Sequence, residues 1–175
     1  AEKLATIDAA QLSRAEKITA DVLRHELVIG IQTARACPTW LWEVDQLSGP
    51  QVSFAELPNY HRITTRKNAD DLLTRYSKIP DYLTKHQTEL HRGLARNYLA
   101  PHSAVERVIQ QMSDQLKVAP KDSAYVASVA LPATWSEQER ATVTSALETS
   151  TREHVYPALR RYQAFIRTEI LPSAR

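Results

Sequence analysis

Residues 79–112 read IPDYLTKHQTELHRGLARNYLAPHSAVERVIQQM. Apolar residues recur here at helical spacing on both sides of Ala100-Pro101. Leu83, Leu90 and Leu94 precede it; Val105, Val108, Ile109 and Met112 follow. Two helical faces joined at a proline make an all-α reading the natural one. Pro80 suits the first position of the first helix, which the spacing carries to Tyr98. Gly93 inside it is unfavourable by about 1 kcal/mol relative to Ala. Close approach by another helix is the expected reason. Pro101 resets the chain, and Ser103 with Glu106 reads as a capping box for the next helix.

The same logic extends outward. Ser13 and Glu16 form an S-x-x-E box that opens a long helix, with Ile18, Val22, Leu27 and Ile29 at its spacing and Cys37-Pro38 at its end. Asn68 reads as the cap of a helix over 69–78 that stops at Ile79-Pro80. Ser136 and Glu139 start a final helix carrying Val143, Leu147, Leu159, Tyr162 and Ile166 to Leu171-Pro172, with a kink expected at Pro157. A short helix fits within 123–129. Residues 38–64 show no sustained period and read as a long irregular connection containing Trp40 and Trp42. The expected fold is thus one all-α domain over 1–175: a bundle of five to six helices, a tryptophan-containing loop and a proline-kinked last helix. Three glycines in 175 residues agree, since turns with positive φ recruit glycine and long helices need few.

Composition narrows the function classes. Hydrophobic residues make up 43% and charged residues 24%, which is globular. Twenty-two basic residues interleave with 20 acidic ones, so no basic patch points to nucleic acid. No apolar run is long enough to span a bilayer, and the opening AEKLATIDAA has no basic-then-apolar leader. The compartment stays open. The single cysteine, Cys37, rules out an intrachain disulfide and reads as a small buried hydrophobe.

Catalytic signatures are near misses. His25-Glu26 begins an H-E-x-x-H motif that Ile29 and Gly30 fail to complete. His86, Glu89 and His91 read H-x-x-E-x-H, whose extra residue swings the second imidazole about 140° around the helix. Catalytic and metal-ligating residues are therefore expected to be absent. Trp40, Trp42, Asp45 and Gln46 are the candidate ligand-binding residues, because indoles beside carboxylate and amide groups can line a pocket. Stapling the loop to the helices is the competing role. Arg152, Arg160, Arg161 and Arg167 read as a solvated face paired with nearby acids.

Four segments in order resemble the bacterial family catalogued as domain of unknown function 885. They are LSRAEKITADVLRHEL (12–27), DQLSGP (45–50), residues 79–112 with their G-x-A-R turn and V-E-R-V helix, and VYPALRRYQAFIRTEILPSAR (155–175). The resemblance covers essentially the whole chain. It implies a helical N-terminal region of a longer metal-dependent peptidase-like protein. The H-E-x-x-x-H-like zinc motif would belong to its later part, and zinc is expected there only. A peptide substrate of the whole protein and self-association through an uncovered apolar face are the implied partners. A free-standing helical module that binds a ligand or partner is the alternative.

Overall fold

The structure is a computed structural model that describes residues 2–175. Helices and the turns between them account for its regular structure, with no strand among the described residues. Six helices reach ten residues or more, in line with the expected all-α bundle. The chain divides into two compact units, 1–39 and 40–175.

The first unit holds α1 (Glu2–Ala5), a 3-10 turn capped by Asp8 at Ala9–Gln11, and the 23-residue α2 (Arg14–Ala36). The Ser13 box forms as read: Glu16 N donates to Ser13 Oγ at 3.3 Å, and Ser13 N to the Glu16 carboxylate at 2.8 Å. None of the α2 side chains is buried. Ile18, Val22 and Ile29, within about 40° of one another around the helix, are each 45–58% exposed. Cys37 is exposed, which corrects the buried reading. It is the C-cap, its N–H donating to Thr33 O, and so sits where the helix has ended.

The second unit contains α3 (Pro50–Tyr60), α4 (Arg66–Leu94), α5 (His102–Lys117), α6 (Ala124–Ala127), α7 (Glu137–Ser150) and α8 (Tyr156–Phe165). Several boundaries differ from the sequence reading. α3 occupies much of the stretch read as irregular. Pro50 supplies its first turn, where a missing N–H leaves nothing unpaired, and Pro50 and Pro58 mask its period. α4 runs unbroken through Pro80. Its buried residues Ala69, Leu72, Tyr76, Ile79, Leu83, Leu90 and Gly93 fall on one seam whose phase continues across the proline. Pro80 costs about 3 kcal/mol, whereas each large apolar side chain buried beside it returns about 1.5–3 kcal/mol. The cap of α4 is Thr65, and Asn68 is its N3 partner, accepting from both Thr65 N at 3.0 Å and Thr65 Oγ1 at 2.9 Å.

α4 also ends earlier than Tyr98. Asn97 adopts φ 58°, while Tyr98 N donates to Gly93 O and Asn97 N to Leu94 O, each at 3.0 Å. That paired pattern closes a helix in a left-handed residue, and asparagine tolerates it better than most. At α5 the expected Ser103–Glu106 box does not form; Pro101 is the N-cap without a side-chain bond. The first helical N–H, from His102, instead donates to the Arg175 carbonyl at 2.6 Å, and Arg175 N donates to Ala100 O at 3.0 Å. A backbone partner far along the chain replaces the local cap. The Ser136–Glu139 box of α7 forms as read. From Ser150 the helical path widens into a π turn at Thr151–Val155 before Pro157 in the first turn of α8, and again at Ile166–Ile170.

α8 packs against both α4 and α5, and α3 against α4 and α6. Tyr76, Tyr125 and Tyr162 are among the largest fully buried side chains. Tyr76 donates its hydroxyl to Tyr125 O at 2.7 Å, so its burial leaves no unpaired donor. The arginines at 152, 160, 161 and 167 are exposed as expected. Their expected acid partners do not appear, since none of the four makes an ion pair among the described residues. Arg152 donates to Thr149 Oγ1 and Arg160 lies 5.8 Å over the Tyr156 ring instead.

Candidate functional site

Within the second unit, the chain between Trp40 and Gly49 folds tightly against α4. Leu41 and Val44 are buried, and the Leu41 carbonyl lies against Gly93 of α4. A Cβ at residue 93 would sit 1.7 Å from that oxygen. Gly93 is thus required by close approach, as expected, but a loop carbonyl rather than a helix makes the approach. Trp42 stacks on Tyr98 at 5.2 Å with 15° between the rings. It borders a crevice of about 10 Å³ shared with Leu41, Leu90 and Ile170, barely the room one water needs. Trp40 is 40% exposed.

Asp45 spends its carboxylate on its own turn. One oxygen accepts from Leu47 N at 2.6 Å, Ser48 N at 2.8 Å and Ser48 Oγ at 3.2 Å. Those backbone donors hold the carboxyl below its usual range. Gln46 belongs to an amide network instead. Buried Gln51 donates to Asp45 O at 2.8 Å and to Gln111 Oε1 at 3.1 Å, and Gln115 donates to Gln51 O at 3.2 Å. The amide oxygens of Gln46, Gln51 and Gln115 are buried without a donor. Gln111 Nε2 in turn donates to the Gln46 backbone carbonyl at 3.4 Å, so Gln51 and Gln111 hold the main chain at Asp45 and Gln46, while Trp42 faces Tyr98. The glutamines at 51, 111 and 115 escaped sequence reasoning because an amide carries no spacing signal.

The histidines of the H-x-x-E-x-H trio diverge. His86 Nδ1 meets Tyr162 Oη at 2.9 Å. Glu89 binds Arg92 at 2.7 Å, and His91 Nε2 meets Glu169 at 2.5 Å. Burial pushes His86 down, opposed by Glu89, and pushes Tyr162 up, so both stay neutral near pH 7. No group of three or more His, Cys, Asp or Glu among the described residues could hold a metal ion. Each of these side chains is already committed to a different partner.

Gln46 borders an open concavity of about 490 Å³ with Arg107, Gln111 and Asp114, and an apolar one lies elsewhere. α3 and α4 meet where Phe54 packs edge-on against Tyr82 at 5.2 Å, and they flank a groove of about 440 Å³. Phe54, Leu57 and Ile79 provide its apolar wall, and Arg75 and Lys78 stand along its α4 side. Its signal in the sequence was the pair of spacings Pro50-Phe54-Leu57 and Arg75-Ile79-Tyr82. It went unread because α3 itself did.

This architecture has a known counterpart by sequence. Residues 1–175 match the family described as "Bacterial protein of unknown function (DUF885)". The chain belongs to that family. Neither the curated proteins nor the solved structures provide a match. The DUF885 assignment covers both compact units.

Proposed function

We propose that this chain is a non-catalytic helical region of a bacterial DUF885 protein, forming one wall of a substrate channel in a peptidase-like whole. The observation that carries the reading is α2. A 23-residue helix with a complete capping box keeps every side chain at least partly exposed, including Ile18, Val22 and Ile29. An isolated helix gains too little from propensity and caps to account for such a stretch, because helices in proteins are held by packing of an apolar face. Exposed apolar surface of this kind marks a contact with further protein. The paired titratable side chains of the second unit support the same reading, since His86, Glu89 and His91 act as ties between helices and within α4.

The test is a zinc titration of the purified chain followed by extensive dialysis and elemental analysis. The expected result is far less than one zinc per chain. One tightly held zinc per chain overturns the proposal.

A second reading, a free-standing module that captures a ligand through the tryptophan loop, is favoured by the exposure of Trp40. Changing Trp40 and Trp42 together to Ala removes its proposed contact. An interaction that survives this change in a folded protein excludes the loop.

A further inference from the structure

The groove between α3 and α4 has a chemistry that neither reading uses. Its α4 side runs from Thr74 to Tyr82, eight residues and so about 12 Å, close to the extended length of about ten chain carbons. Ile79, only 1% exposed, forms part of its floor beside Phe54 and Leu57. Arg75 and Lys78, one turn apart, border it. Neither takes part in an ion pair among the described residues, and no carboxylate lines the groove.

Two of the three hydroxyls on the groove's lining residues are already committed, leaving that of Tyr82. Ser53 Oγ donates to Ser48 O at 3.3 Å and Thr74 Oγ1 to Asp70 O at 2.9 Å. A peptide laid here would bury amide groups against a wall with few free partners, which is unfavourable for each amide left unpaired. An alkyl chain has no such groups. A site with one apolar run and two uncompensated cations suits a ligand with a hydrocarbon tail and a single anionic head.

We propose that the α3–α4 groove binds a medium-chain alkyl carboxylate, with the head between Arg75 and Lys78 and the tail along Phe54, Leu57 and Ile79. The volume of about 440 Å³ is within the range of small-molecule sites. The assignment stands apart from the channel-wall reading: zinc binding would overturn that reading and leave this one intact.

The experiment is calorimetric titration of the whole chain with hexanoate, octanoate and decanoate below their micelle concentrations, with decyltrimethylammonium as the control. One carboxylate per chain is expected, tightening about fourfold per added methylene until the groove is filled. Binding of the carboxylates should weaken with added salt, and the cationic control should not saturate. Arg75→Gln together with Lys78→Gln should weaken decanoate at least tenfold while the helical circular dichroism stays unchanged. The salt titration of the unaltered chain reads the same electrostatics should the double variant misfold. Absent saturable decanoate binding, equal binding of the cationic control, or insensitivity to both salt and the double substitution would overturn the assignment. So would concentration-dependent dimerisation abolished by Leu57→Asp, because the groove would then belong to a second copy of the chain.

Discussion

α2 and α4 are the two longest helices, 23 and 29 residues, and both open with a complete capping box. α4 buries seven residues, whereas α2 buries none. The apolar spacing in α2, Ile18-Val22-Ile29, is as regular as Leu72-Ile79-Leu83 in α4. Caps and periodicity therefore mark where a helix starts and which face is apolar, while burial depends on what meets that face. Pro80 makes the same point from the other side: a residue that should end a helix is carried through where the seam around it is fully packed.

The sharpest way to break this contrast is a matched truncation. Leu72→Ala in α4 is expected to destabilise by about 2–5 kcal/mol, and Val22→Ala in α2 to stay within about 0.5 kcal/mol. Urea denaturation of the two variants measures both. Similar losses would mean that α2 is buried in solution.

Next is Gly93→Ala, where helix propensity alone would stabilise by about 1 kcal/mol. The Leu41 carbonyl 1.7 Å from the new Cβ reverses the sign, and a loss of about 1–3 kcal/mol is expected from forced repacking. A rise in melting temperature would remove the close approach from the account of the loop.

The smallest effect concerns pH. Burial lowers the His86 pKa in the folded chain from its ordinary 6.5. The unfolded chain then binds the proton more readily, so this contribution to stability is present above about pH 6.5 and lost as pH falls below it. His86→Asn should flatten the decline in melting temperature between pH 7 and 5. An unchanged slope would place the imidazole in water.

Legibility in the sequence followed the range of the interaction. Two of three expected S-x-x-E boxes form, with donor and acceptor only three residues apart. The third, at Ser103, lost to a carbonyl 73 residues away in sequence, that of Arg175. α3 was missed because Pro50 and Pro58 suppress the period that marks a helix, although one starts it and the other lies within it. Of the loop residues, Asp45 reads in sequence as a candidate ligand-binding carboxylate, but its use inside its own turn depends on Leu47 and Ser48 donating to it. Gln51 and Gln111 carried no local signal, and the spacings that frame the groove were unreadable without α3.

Capping and periodicity, encoded within a few residues, specify an all-helical chain, the starts of α2 and α7 and the apolar seams, and the order of four segments points to the family. That Pro80 lies inside a helix, that Gly93 yields to the Leu41 carbonyl, that His86 and Tyr162 pair, and that α3 and α4 leave a cationic-edged groove follows from the folded chain alone. Each of these depends on groups distant in sequence meeting at atomic distances, where one added carbon or one unpaired charge changes the balance.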